Sequence, residues 1–205
     1  MRGRIWIAGV VFWLGLAATA VADEYRSGFG FGISVPDVWL VLTQSEVAEH
    51  ADIFLDVDDN SALAAIPVEM RRVVFERIQR GELEIFYRRE AFAGAFVDNI
   101  NIMRQGSPLP INRAQLDAVC RLLPAEFSRV FGRPISMDRC EMRELVGKPA
   151  LYLQFDGALR GTKTMQYQLE QSSDRTLVIT ATATLPKLTR MLSEFEAMVA
   201  SIRLD

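Results

Sequence analysis

The stretch from Ile135 to Thr184 narrows most what this chain can become. Four strand candidates lie in it: Ile135 to Leu145, Ala150 to Asp156, Thr162 to Gln171 and Thr176 to Thr184. Between them stand Val146-Gly147-Lys148-Pro149, Gly157 to Gly161 and Ser172-Ser173-Asp174-Arg175, all rich in turn residues. Met165, Tyr167 and Leu169 alternate with Gln166, Gln168 and Glu170. Leu177, Ile179, Ala181 and Ala183 alternate with Thr176, Val178, Thr180, Thr182 and Thr184. A period of two puts each set on one face of a strand. Connections this short do not carry a crossover, so the segments form an antiparallel meander with one apolar face. A helix follows Pro186, with Leu188, Leu192, Phe195, Val199 and Ile202 at offsets 0, 4, 7, 11 and 14. That stripe needs a sheet face or another helix to bury it.

Upstream, Phe29, Phe31, Ile33 and Val35 alternate with Gly30, Gly32 and Ser34, a strand that Pro36-Asp37 ends. Trp39 to Thr43 resumes the extended chain. A dinucleotide fingerprint would need a glycine where Ile33 stands, so Gly28, Gly30 and Gly32 allow close packing in a strand. Pro67 to Arg80 reads as a helix, opened by Pro67 and Glu69 and stopped by Gly81. Its apolar stripe is Met70, Val73, Val74 and Ile78, with arginines mostly opposite on a solvated face. Leu83 to Arg88 and Ala95 to Arg104 are two further strands. Asn112 and Gln115 form a capping pair opening a helix through Leu116, Val119, Cys120 and Leu123. Pro124 kinks that helix or starts a second segment carrying Phe127, Val130 and Phe131, and Gly132 ends it.

The first 22 residues have a different character. Met1-Arg2-Gly3-Arg4 is basic, Ile5 to Ala18 is 14 residues without a charge, and Ala20-Val21-Ala22 precedes Asp23-Glu24. That order is a secretory signal peptide, with cleavage expected after Ala22. The competing reading, a retained anchor, asks for the roughly 20 apolar residues of a spanning helix. No later apolar run is long enough to span a membrane. Residues 23–205 then form one exported domain, periplasmic or secreted, with a core of useful size. Loss of Arg2 and Arg4 takes the formal net charge from −3 to −5. An acidic domain is poorly suited to nucleic acid or to anionic lipid.

An oxidising compartment favours pairing of Cys120 with Cys140, and closing that loop would stabilise the fold by roughly 3 kcal/mol. The alternative is two buried free thiols. His50 is the only histidine; no nucleophile elbow accompanies it, and with two distant cysteines it makes no zinc spacing. Asp56-Val57-Asp58-Asp59-Asn60 resembles a calcium loop, but Ser61 and Pro67 occupy the positions that need glycine and a bidentate glutamate. A solvated acidic loop fits better. No catalytic residue, metal ligand or cofactor site is assigned, and the chain is read as a non-enzyme.

Three landmarks occur in order: the aromatic strand running into Pro36 and Trp39, the strand Phe96-Val97-Asp98-Asn99-Ile100-Asn101-Ile102, and the C-terminal meander with its amphipathic helix. This arrangement resembles the PsbP/DcrB-like superfamily over residues 29–204. The resemblance implies an α+β fold, an antiparallel β-sheet sandwiched by α-helices. It also implies a non-catalytic module that binds another protein or supports a membrane complex, here an envelope protein of unknown identity. The alternatives are a carrier of a small apolar ligand or lipid, which needs a closed apolar cavity, and an enzyme, which needs a cleft of perturbed titratable groups. The first places to look for an interaction surface are Trp39 and the acidic Asp56, Asp58 and Asp59. Their bland alternatives are core packing and plain solvation.

Overall fold

The computed structural model describes residues 22–49, 68–88, 98–172 and 174–205. Among the described residues, ten strands are distributed over two antiparallel sheets. The smaller holds β1 (Ala22–Ser27), β2 (Phe31–Pro36) and β10 (Arg203–Leu204), with β2 in the middle. The larger holds β3 (Trp39–Leu42), β4 (Glu84–Arg88), β5 (Asn99–Gln105), β6 (Met137–Leu145), β7 (Lys148–Asp156), β8 (Thr162–Ser172) and β9 (Arg175–Thr184). Their spatial order is β3-β4-β5-β9-β8-β7-β6. The four described α-helices are α1 (Gln44–Glu49), α2 (Val68–Gln79), α3 (Arg113–Phe131) and α4 (Leu188–Ala200). The fold is α+β, and the meander read from the sequence is β6 to β9.

Alternation along the strands decides which layer each side chain joins. On one face of the large sheet, Phe86, Ile100, Ile102, Tyr152, Met165, Tyr167, Leu169, Leu177 and Ile179 meet Phe31, Ile33 and Val35 of β2 and Phe195, Met198 and Val199 of α4. This face is therefore covered by a second sheet as well as by a helix. The opposite face is covered at its two ends. Val47 of α1 and Phe75 and Ile78 of α2 pack on Leu42, Ile85 and Tyr87. Leu116, Val119, Cys120, Leu123, Phe127 and Phe131 of α3 pack on Leu151, Leu153 and Phe155. β7 is apolar on both faces because it lies between two cores.

Asn112 caps α3 by accepting from the Gln115 backbone N–H at 2.9 Å, and Gln115 Oε1 accepts from Ile111 N at 2.9 Å. α3 runs unbroken through Pro124 to a left-handed Gly132. The Ser128 hydroxyl donates to the Pro124 carbonyl and accepts from Ile135 N, tying the helix to the start of β6. Cys120 and Cys140 are joined, with Cα atoms 5.7 Å apart, so a covalent bond links α3 to β6. Val146 and Gly147 both have positive φ in the two-residue turn between β6 and β7, the geometry that follows the sheet's twist.

Two helical stripes differ from expectation in phase. In α2, Val73 is 57% exposed while Phe75 joins the core, because aromatic bulk turns the helix toward β4. In α3, Val130 is exposed, and Phe127 and Phe131 carry the C-terminal half. In α4, Phe195, Val199 and the following Ile202 are buried together with Met191 and Met198, while Leu188 and Leu192 lie at the margin.

Phe195 is fully buried between α4 and the ring of Tyr167. Phe195→Ala is expected to lower stability by about 3–5 kcal/mol in denaturant unfolding. A loss under about 1 kcal/mol would mean that the helix does not carry this core.

Candidate functional site

The turn joining β1 to β2 gathers buried and half-buried polar contacts from the large sheet. Glu84 begins β4, only 6% exposed. Its carboxylate accepts from the Ser27 hydroxyl at 2.7 Å and from Gly28 N at 2.7 Å, and Tyr25 adds a side-chain bond. From β5, Arg104 donates to the Phe29 carbonyl and lies over the Phe29 ring, 5.3 Å from its centroid. Gln171 of β8 donates to the same carbonyl at 2.6 Å and accepts from Arg104 Nε at 2.9 Å. Gly30 has φ of 76°, and a Cβ there would meet Arg104 Nη2 at 3.5 Å and Gln171 Nε2 at 3.6 Å. Three strands of the large sheet thus hold one turn of the small sheet.

Beside this turn lies a cleft of about 480 Å³, lined by Tyr25, Phe29, Gln44, Ile78, Leu83 and Glu84 among others. Burial pushes the Glu84 carboxyl above the usual glutamate range, against the lowering effect of Ser27, Gly28, Tyr25 and Arg104. A raised carboxyl in a cleft is a proton-transfer candidate in general. Here both oxygens are engaged by the turn, which the carboxylate fixes to β4.

Trp39 is 2% exposed. It lies in the main core, so the reading of Trp39 as a surface residue is corrected. The cause is alternation on β3: Trp39 shares the inward face with Val41, while Leu40 takes the outer position. Arg88 lies over the Trp39 ring, 5.9 Å from its centroid, and pairs with Glu194 of α4. Asp98, also buried, accepts from Thr184 N at 3.3 Å and pairs with Lys187 at 3.5 Å. Toward the other edge, the Arg143 guanidinium sits 3.6 Å from the Tyr152 ring centroid and donates to the Tyr167 hydroxyl at 3.0 Å. Burial pushes Tyr152 up to about 12. Lys163 bridges Asp138 at 2.5 Å and Asp156 at 2.8 Å.

Asp56, Asp58, Asp59 and His50 lie outside the described residues. Among the described residues, no three His, Cys, Asp or Glu side chains converge to hold a metal ion, and no helix is long and apolar enough to cross a membrane. Sequence reasoning missed Glu84, Arg88, Arg104 and Gln171. The signal available was a charge on each end of an otherwise apolar strand, Glu84 and Arg88 flanking Ile85-Phe86-Tyr87.

Glu84 gives the site a pH signature. Its folded carboxyl is raised above the unfolded one, so folding takes up a proton between about pH 4.3 and the raised value. The contribution of Glu84 to stability therefore improves as pH falls through that window, and the cost of burying its charge is present in full above it. Relative to Glu84→Gln, which retains an acceptor for Gly28 N, the native chain is expected to gain stability between about pH 7 and pH 4.5. Parallel stability profiles for the two proteins, from denaturant titrations at several pH values, would contradict this. Glu84→Ala should cost about 1–3 kcal/mol at either pH, because it removes the acceptor of the buried Ser27 hydroxyl.

No family model and no curated protein matches the chain in sequence. Its fold is similar to solved structures. The solution structure of cyanobacterial PsbP (CyanoP) from Synechocystis sp. PCC 6803 aligns with a TM-score of 0.53 at 11% identity, covering 96% of this chain and 100% of that one. The Ran-binding protein Mog1p of Saccharomyces cerevisiae aligns with a TM-score of 0.48 at 8% identity, covering 89% and 96%. PA94 of Pseudomonas aeruginosa, a protein of unknown function, aligns with a TM-score of 0.45 at 17% identity, covering 88% and 94%. The architecture of two antiparallel sheets with flanking helices is the PsbP-like fold.

Proposed function

We propose that this chain is an exported, non-catalytic module that works by binding another protein of the cell envelope. The observation that carries the reading is the employment of the buried and half-buried ionic groups among the described residues. Glu84 holds the turn after β1, Arg88 holds Glu194 of α4, and Asp98 holds Lys187 and the end of β9. Arg143 covers Tyr152 and Tyr167, and Lys163 joins Asp138 to Asp156. These are the groups that an active site would draw on, and each one ties parts of the fold together. The space between the sheets, where a carried lipid would sit, is filled by Phe31, Phe86, Tyr152, Phe195 and their neighbours.

The leader-like residues 1–22 and the Cys120–Cys140 bond support an oxidising destination. Cleavage after Ala22 would remove only the first residue of β1 and leave Asp23 to Ser27 paired with β2. The acidic Asp56, Asp58 and Asp59 remain the proposed contact surface, on the ground of their clustered charge.

The test combines export with capture. Protein from the periplasmic or secreted fraction is expected to begin at Asp23. Cross-linked in that compartment, it should recover a defined partner, and the combined Asp56→Asn, Asp58→Asn and Asp59→Asn change should weaken recovery at least about tenfold without lowering Tm. An intact Met1 in the membrane pellet would replace export with anchoring. Turnover of a substrate lost on substitution of His50 or a carboxylate would replace binding with catalysis.

A further inference from the structure

Among the described residues, β6 is one of the two end strands of the large sheet. Among the described strands, β7 pairs with one of its edges and none pairs with the other. After an irregularity between Met137 and Arg139, pairing with β7 is regular from Arg139 to Leu145, a stretch whose midpoint is Met142. Arg139, Glu141, Arg143 and Leu145 share one face of the strand, and Cys140, Met142 and Glu144 share the other, toward α3. Arg139 and Arg143 flank Glu141, at 3.8 and 2.7 Å. The charges along the open edge thus run plus, minus, plus.

We propose that β6 pairs with β6 of a second copy of this chain, antiparallel about a two-fold axis through Met142, joining the two large sheets into one. In that register Glu141 of each copy stands opposite Arg143 of the other, so two cross-strand ion pairs form on one face. On the α3 face Met142 meets its own counterpart, an apolar contact on the axis. Arg139 lies opposite Leu145, and Cys140 opposite Glu144, so no like charges face each other. Centring on Glu141 instead would oppose Arg139 to Arg143 and Asp138 to Glu144, and self-repulsion disfavours it. Charges on an edge strand commonly guard against pairing. Here the register that uses the whole regular stretch sets Glu141 and Arg143 of one copy against Arg143 and Glu141 of the other. This inference does not rest on the proposed envelope partner.

Two single variants test it, each with a repulsive homodimer and together with an attractive heterodimer. Sedimentation equilibrium of residues 23–205 is expected to give a dimer. Glu141→Arg places arginine opposite Arg143, and Arg143→Glu places glutamate opposite Glu141, each raising Kd by about tenfold or more. An equimolar mixture of the two should restore dimers, because both facing pairs then have opposite signs. Arg143 also covers Tyr152, so Met142→Cys supplies an independent readout. The introduced thiol would meet its symmetry mate across the axis and close an intermolecular disulfide under oxidation, with Cys120–Cys140 intact by peptide mapping. A native chain that stays monomeric at hundreds of micromolar overturns the proposal, and the charges are then guards. A dimer that is indifferent to Glu141→Arg, and whose Met142→Cys variant forms no cross-link, overturns it too.

Discussion

Everything on the inner face of the large sheet depends on holding a second sheet against it. β2 supplies Phe31, Ile33 and Val35 to the core, but β10 is two residues long and contributes little pairing. The small sheet is fixed instead at the turn after β1, by Glu84 from β4, Arg104 from β5 and Gln171 from β8. Hydrogen bonds to buried backbone groups matter by what their loss leaves behind: an orphaned carbonyl or N–H costs about 1–3 kcal/mol. The same turn closes the circuit of the chain, because Asp205 N donates to the Gly30 carbonyl at 3.3 Å. First strand, last strand and sheet centre therefore meet within a few residues.

Much of this architecture can be read in the sequence, and the reason is periodicity. β8 and β9 alternate cleanly because one of their faces lies over a dry core, and β6 and β7 are delimited by turn residues. β1 and β10 escape detection because one is polar in composition and the other too short to have a period. The phase of α2 departs from its apolar stripe for a physical reason. Val73 and Phe75 compete for the core, and a count of apolar positions does not weigh an aromatic ring against an isopropyl group. Trp39 shows the same limit. A tryptophan beside a turn suits a surface or a core equally, and only the pairing of β3 with β4 turns it inward.

The polar residues that fix the fold are less legible still. Glu84 and Ser27 are 57 positions apart, and Gln171 and Phe29 are 142 apart. No local pattern announces such pairs. The disulfide needed one further fact, that α3 lies over β6 with Cys120 facing Cys140, although the expectation of export made pairing the favoured reading. The placement of charges also bears on function. Among the described residues, Glu84, Arg88 and Asp98 spend their charges on joining a turn, a helix and a strand end to the large sheet.

The two sheets share one core and are expected to unfold as one unit, held through the turn after β1. Native-state amide exchange on the double variant Arg104→Met, Gln171→Met tests it directly. Amides of β2 and of β9 should lose protection together, by the same free energy of about 2–4 kcal/mol. If β2 amides exchange early while β9 keeps native protection, the small sheet is a separable appendage and the account is wrong.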